Sequence, residues 1–424
     1  MKVLIVTYYW PPAGGSGVQR WLKFVKYLQD SGVEPVVYTV ANPKYPIIDA
    51  SLESEIPANI TVLKQPIWEP NTILSLFKKN TTKESAGFLN PNPSFVGRIL
   101  QYIRANYFIP DARKFWVKPS VVFLENYLLK NPVDAIITTG PPHSLHLIGL
   151  ELKKKLNLKW ISDFRDPWTE IDYFEQLPLT NKATKKHHEL EADVLKKSDA
   201  VLVVGKTMKE KFQPFTKSIF VITNGFDTDE NKKEIALDSN FTITHIGLMN
   251  ADRNPYSFWK AIQEIAIEND QFAKDFRIQL VGSVAAEVKD LIHELKLENV
   301  IDLGYLSHKE VNEYQRKSQV LLLAVNNVKS AKGIITGKIF EYLQAKRPIL
   351  AIGPEDGDLA EIIKETNSGV IVAFNDVEMI KAEVLKMYAS FKKGSLKIDS
   401  KDINQYHRKN LTQRLSEIIK ETIS

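Results

Sequence analysis

The 424-residue chain contains no cysteine. Disulfides, thiolate catalysis and cysteine-ligated zinc or iron–sulfur centres are therefore excluded together, and a reducing, cytoplasmic setting fits. Long apolar runs are also missing: no stretch approaches the roughly 20 residues needed to cross a bilayer. The opening MKVLIVTYYWPP is broken by Pro11 and Pro12, so it is too short for a signal peptide and reads as a buried first strand. No G-x-G-x-x-G follows it, and no acidic residue ends the next strand, which argues against a classical dinucleotide site. Convergent His and Cys ligands are lacking, and the two D-x-D patterns, Asp227-Thr228-Asp229 and Asp356-Gly357-Asp358, read as polar loops. No metal is expected.

What is present is the composition of a globular protein, 44% hydrophobic and 25% charged, at a length that suits two cores better than one. Short apolar runs alternate with amphipathic segments. Strands are expected over Lys2–Thr7, Glu34–Val40, Ala135–Thr139, Trp160–Ser162 and Ala200–Val204, with helices over Gly17–Ser31, Leu145–Leu156 and Lys182–Lys197. The alternation restarts at Phe241–Gly247 and runs to Val370. This order predicts an α/β protein of two Rossmann-like domains with parallel sheets, whose ligand sits in the cleft between them. The expected division is 1–228, 229–402 and a last amphipathic helix at 403–424.

Functional motifs in such sheets lie beyond the carboxyl ends of strands. After the first strand comes Pro11-Pro12-Ala13-Gly14-Gly15-Ser16-Gly17 and then a helix, an arrangement in which Gly15 and Gly17 let backbone N–H groups approach an anion or a sugar. Turn chemistry alone also explains such a loop. In Thr139-Gly140-Pro141-Pro142-His143-Ser144-Leu145-His146, His143 is placed to act as a base, a donor or a substrate clamp, whereas His146 reads as structural. Asp163-Phe164-Arg165-Asp166-Pro167-Trp168 offers Arg165 for a phosphate and Asp163 or Asp166 for a hydroxyl or an acceptor proton; a self-contained salt-bridged turn is the alternative.

In the second half, Arg253 follows a strand and stands just before a helix with Pro255 at its start, a position that suits a diphosphate. Gly282 and Gly304 end later strands. Lys332 to Pro348 is the most informative stretch: a glycine-bearing loop feeds a helix at whose N-terminus Lys338 meets phosphates, with Glu341 one turn inside to accept from ribose hydroxyls.

Positions 71–130 hold nine basic and three acidic residues among ten aromatics, including Phe77, Phe95, Tyr102 and Trp116. Such a mixture meets anionic lipid, a phosphate-bearing acceptor or nucleic acid, or is a solvated face over a core. No nucleic-acid-binding module accompanies it, so nucleic acid is not expected as a partner.

Together these residues resemble glycosyltransferase family 4, enzymes of the GT-B fold, along nearly the whole chain: the Gly15–Gly17 loop, Asn224-Gly225-Phe226-Asp227, Gly247 to Arg253, Gly282, Gly304 and Gly337 to Pro348. The resemblance implies transfer of a hexose-type sugar from a nucleotide-diphosphate sugar, UDP or GDP, to a glycan or lipid-linked acceptor. It also implies no metal, retention of configuration and a C-terminal helix returning to the N-terminal domain, while the 71–130 region is where a cytoplasmic protein would touch the inner face of a membrane. Glu341 matches the second glutamate of the family's E-x7-E motif, Arg253 its diphosphate-binding basic residue, assisted by Lys338, and His143 a histidine near the transferred sugar. Where the first glutamate of that motif falls, this chain has Gly333. Other readings are a UDP-sugar 2-epimerase of the same fold and a non-catalytic two-lobed sugar-binding protein.

Overall fold

The computed structural model describes residues 1–69, 94–227 and 235–424. It divides into two units, Met1–Asn224 with Arg408–Ser424, and Gly225–His407.

The N-terminal unit is built from β1 (Lys2–Val6), α1 (Ser16–Leu28), β2 (Glu34–Val40), β3 (Thr61–Gln65), α2 (Phe95–Tyr107), α3 (Lys114–Leu128), β4 (Ala135–Gly140), α4 (Ser144–Leu156), β5 (Lys159–Phe164), α5 (Asn181–Lys197), β6 (Ala200–Val203), α6 (Lys206–Phe212) and β7 (Ile219–Val221). The strands pair in the order β3-β2-β1-β4-β5-β6-β7, every pair parallel. A central parallel strand is covered on both faces, which is why β1 is apolar from Val3 to Val6. Val3 and Ile5 enter one layer with Val18, Trp21, Leu22 and Val25 of α1, while Leu4 and Val6 enter the other with Leu124 of α3 and Ile148 of α4. The C-terminal helix, Arg408–Ile423, adds Leu411, Leu415, Ile418 and Ile419 to the α1 layer. That i, i+4, i+7, i+8 stripe is one face of a helix.

The C-terminal unit contains β8 (Phe241–Ile246), α7 (Tyr256–Glu268), α8 (Asp270–Asp275), β9 (Phe276–Val281), α9 (Ala286–Glu294), β10 (Val300–Gly304), α10 (His308–Lys317), β11 (Val320–Ala324), α11 (Lys338–Ala345), β12 (Ile349–Ile352), α12 (Asp358–Glu365), β13 (Gly369–Val372) and α13 (Val377–Lys392). Its parallel sheet runs β10-β9-β8-β11-β12-β13. Along β11, Val320 and Leu322 face one layer and Leu321 and Leu323 the other.

The junction falls at Asn224, not at 228, because Phe226 is already part of the second core. Its N–H donates to the Tyr406 carbonyl (3.1 Å), and its side chain packs in one cluster with Phe340 and Tyr406. For the same reason Ile403–Tyr406 forms a short 3-10 turn in the C-terminal unit, and the last helix begins at Arg408 rather than at 403.

Four elements go beyond the sequence expectations. β3 and β7 are short edge strands with half-buried residues, β7 only three residues long. Pro119 stands inside α3, where a sequence pattern would break the helix. On α2 the apolar stripe faces outward, with Phe95, Val96, Ile99, Tyr102, Ile103 and Tyr107 all exposed. Part of the 71–130 basic and aromatic region, including Phe77, lies outside the described residues.

Candidate functional site

Each sheet reverses its winding once. In the C-terminal unit the chain steps outward from β8 to β10, then returns to lay β11 beside β8. The crevice at such a switch point is where ligands enter open α/β sheets.

Three segments supply that place: the loop after β8, the loop after β11 and the start of α11. Gly247 ends β8 with φ 100° and Gly282 ends β9 with φ 118°. A Cβ on Gly282 would lie 2.7 Å from the Gly247 carbonyl oxygen, and one on Gly247 would lie 2.7 Å from Cε of Lys338. The absence of both side chains lets the two loops touch and opens a channel for the lysine stem.

Lys338, the first residue of α11, donates to Leu248 O (3.3 Å) and lies 3.2 Å from Nε2 of His245. Arg253 donates from Nη1 to the same Leu248 oxygen (2.9 Å) and from Nε to Oδ1 of Asn326 (2.9 Å). Two cations thus share one carbonyl. Burial first, then the charge of Arg253, push Lys338 down to about 7, against a smaller opposing effect of Glu341. Burial also lowers the pKa of Arg253. Like charges held together at such a cost are characteristic of a site that receives an anion.

Glu341 lies one turn further along α11, exposed, with Oε2 accepting from Nε2 of Gln315 (2.8 Å). No described residue donates to Oε1. His245, Gln315 and Asn326 are site residues that the motif reading missed. The sign of His245 was a histidine beside two threonines in the fully buried strand FTITHI. Gly333 closes a short 3-10 turn before α11. Of the D-x-D residues, Asp356 pairs with Lys332, Asp358 is buried, and Thr228-Asp229 lies outside the described residues.

The switch point of the N-terminal unit falls between β1 and β4. There the structure corrects two expectations. Asp163 is fully buried. Its carboxylate accepts from Arg20 Nη2 (2.8 Å) and Nε (3.3 Å), Trp21 Nε1 (2.7 Å) and Thr139 Oγ1 (2.8 Å), which leaves nothing to meet a hydroxyl. Arg165 is likewise occupied, by carbonyls: Nε donates to Gly140 (3.2 Å), Nη1 to Gly17 (3.2 Å) and Nη2 to Pro141. A Cβ on Gly17 would meet Nη1 at 2.4 Å, so Gly17 makes room for this staple. Asp163 and Arg165 hold loops; neither presents its charge to a ligand. Gly15, at φ 94°, caps α1 with nothing near its Cβ position.

His143 caps α4 and stacks on Trp168 (centroids 5.1 Å, 8°). Its Nδ1 is buried and has no hydrogen-bond partner among the described residues. Burial, followed by His146, Arg165 and His187, holds its pKa well below the usual histidine value, so the ring is neutral at pH 7 and keeps a free lone pair. His146 is structural: fully buried, stacked on Phe164, with Nδ1 2.9 Å from Thr138 Oγ1 and a pKa pushed down to about 3 by burial and Arg165.

Residues 240–390 match the family model described as glycosyl transferases group 1. The match covers about a third of the chain, within the C-terminal unit. The Arg253, Lys338 and Glu341 cluster lies inside it. No curated protein sequence matches the chain. Among solved structures, similarity extends to sucrose-phosphate synthase of Thermosynechococcus elongatus at 12% identity and TM-score 0.56, covering 100% of this chain and 95% of that one. An E. coli trehalose-6-phosphate protein bound with UDP-2-fluoro glucose matches at 12% identity and TM-score 0.58, with coverage of 100% and 97%. A Listeria monocytogenes protein described as a UDP-N-acetylglucosamine 2-epimerase matches at 12% and 0.56, with coverage of 98% and 94%. With two parallel-sheet Rossmann-like units, the fold around the group 1 domain is GT-B. Among the described residues no helix is long and apolar enough to cross a membrane.

Proposed function

We propose that the chain transfers a hexose-type sugar from a nucleoside-diphosphate sugar, carrying UDP or GDP, to a glycan or lipid-linked acceptor, without a metal and with retention. The observation that carries this reading is the convergence of Arg253 and Lys338 on Leu248 O at the β8–β11 switch point. Two basic side chains there, and no carboxylate between them, suit the two phosphates. Glu341, with Oε1 unengaged by the described residues, suits the ribose hydroxyls. As the sugar–oxygen bond breaks, negative charge grows on the leaving diphosphate, and the two cations stabilise it. The acceptor oxygen bonds to the anomeric carbon and its proton passes to the departing phosphate. In the N-terminal unit we assign a sugar hydroxyl to His143, a half-buried ring kept neutral at the start of α4.

Calorimetric titration with UDP, GDP, ADP and CMP is expected to give one preferred nucleotide, weakened by Glu341→Ala. If none binds, the donor-site reading is wrong. Nucleotide release that depends on an acceptor marks transfer. Epimerisation of a UDP-sugar with no acceptor marks the second reading, which the epimerase-like fold neighbour favours.

The acceptor reading extends to an anionic membrane surface. On α2, Arg98 and Arg104 are the only charged residues, beside six exposed apolar ones. Such a helix lies on anionic lipid. Flotation with phosphatidylglycerol vesicles is expected to carry the protein upward at low salt. Phosphatidylcholine vesicles should not, nor should either lipid carry Arg98→Glu/Arg104→Glu. Equal flotation of the variant removes the membrane from the proposal.

A further inference from the structure

Lys338 and His245 fix each other's protons. The Leu322 carbonyl, 3.2 Å from Nδ1 of His245, can only accept, so in the tautomer with its hydrogen on Nδ1 an Nε2 lone pair turns to Lys338, and the Leu248 carbonyl, which also acts on the ring, takes its hydrogen from the lysine. Burial keeps this imidazole neutral, with a pKa far below the usual histidine value, and a charge on Lys338 lowers it further. The Lys338 amine therefore has two acceptors, Nε2 of His245 and O of Leu248. A neutral amine has two N–H bonds and fills them. An ammonium has three, and among the described residues nothing accepts the third. The charged groups acting on it are Arg253, from the loop after β8, which opposes a positive charge, and Glu341, on its own helix, which favours one.

We propose that this pocket takes up a proton as it binds a diphosphate: Lys338 waits as a neutral amine between His245 and Leu248, and becomes an ammonium when a phosphate oxygen accepts its third N–H. The inference rests on the donor-site reading given above. The proton comes from solvent, because the one ring hydrogen of His245 is held by Leu322. The sign of the pH dependence follows. With the free lysine at about 7 and the bound lysine higher, the complex holds more protons than its parts above neutrality. Affinity therefore falls as pH rises, by up to about tenfold per unit.

UDP-glucose is a suitable probe, since its diphosphate does not itself titrate near neutrality. Calorimetry at about pH 8.5 in buffers of different ionisation enthalpy should show uptake of roughly one proton per molecule bound. Lys338→Met should bind more weakly with no uptake. Binding by the native protein without proton exchange overturns the inference and leaves the donor site standing. If UDP-glucose, GDP-mannose and ADP-glucose all fail to bind, the donor-site reading falls and this inference falls with it. Competitive acylation of the ligand-free protein, read by peptide mass spectrometry, needs no ligand: Lys338 should titrate near 7 rather than at its ordinary value near 10.5. A midpoint near the ordinary value overturns the inference outright.

Discussion

Asp163→Ala is expected to destabilise the N-terminal unit by about 3–5 kcal/mol, since removing one member of a buried ion pair strands the other. The guanidinium of Arg20 is buried with Asp163 as its partner on two nitrogens, and only Nη1 has another acceptor, the Thr223 carbonyl at 2.7 Å. The Trp21 indole N–H and the Thr139 hydroxyl lose their acceptor in the same stroke. For a unit of this size the melting temperature should fall by about 10 °C. Asp163→Asn should fall between alanine and the native protein, because a neutral amide keeps one acceptor oxygen but leaves the Arg20 charge uncompensated. Replacing both charges, as in Arg20→Met/Asp163→Leu, should recover part of the loss, since a well-packed apolar pair can stand in for a buried ion pair. Differential scanning calorimetry reads the shift. A variant that melts like the native protein but no longer turns over would restore Asp163 to chemistry and undo its assignment as a structural hub.

That residue illustrates where sequence reading stops. Asp163-Phe164-Arg165-Asp166 announces charge at a strand end, but the partners of Asp163 come from α1 and β4, between 24 and 143 residues earlier in the chain. Nothing local distinguishes a carboxylate facing a cleft from one facing inward. The fold was more legible because it is written in periodicity: Val3–Val6 of β1 and all of β11 are apolar and buried, as a covered parallel strand requires. What escaped were the elements whose pattern is set by exposure, the edge strands β3 and β7 and the outward stripe of α2. In the C-terminal site, Arg253 and Lys338 were visible as basic residues beside glycines at strand and helix ends. His245 was not singled out, because a histidine inside a strand carries no motif and gains meaning only when Lys338 arrives 3.2 Å away.

Arg253→Ala and Lys338→Ala are each expected to weaken nucleotide-sugar binding by about 30- to 100-fold, the loss that goes with a charge-assisted hydrogen bond of about 2–3 kcal/mol. The pair should not behave additively. Both side chains lean on Leu248 O, and Arg253 opposes the protonation of Lys338. Removing Arg253 deletes one phosphate contact but makes the remaining lysine easier to charge, so the single variant is partly rescued from within. With Lys338 also gone there is nothing to rescue. The double variant should therefore lose more affinity than the sum of the singles, and the excess should shrink as pH falls toward 7 and the native lysine becomes protonated without help. Titrations of the native protein, both singles and the double variant at two pH values close this cycle. Strict additivity at both would mean that the two cations bind separate groups. The shared carbonyl would then have no functional consequence, and Lys338 would belong to the helix start alone.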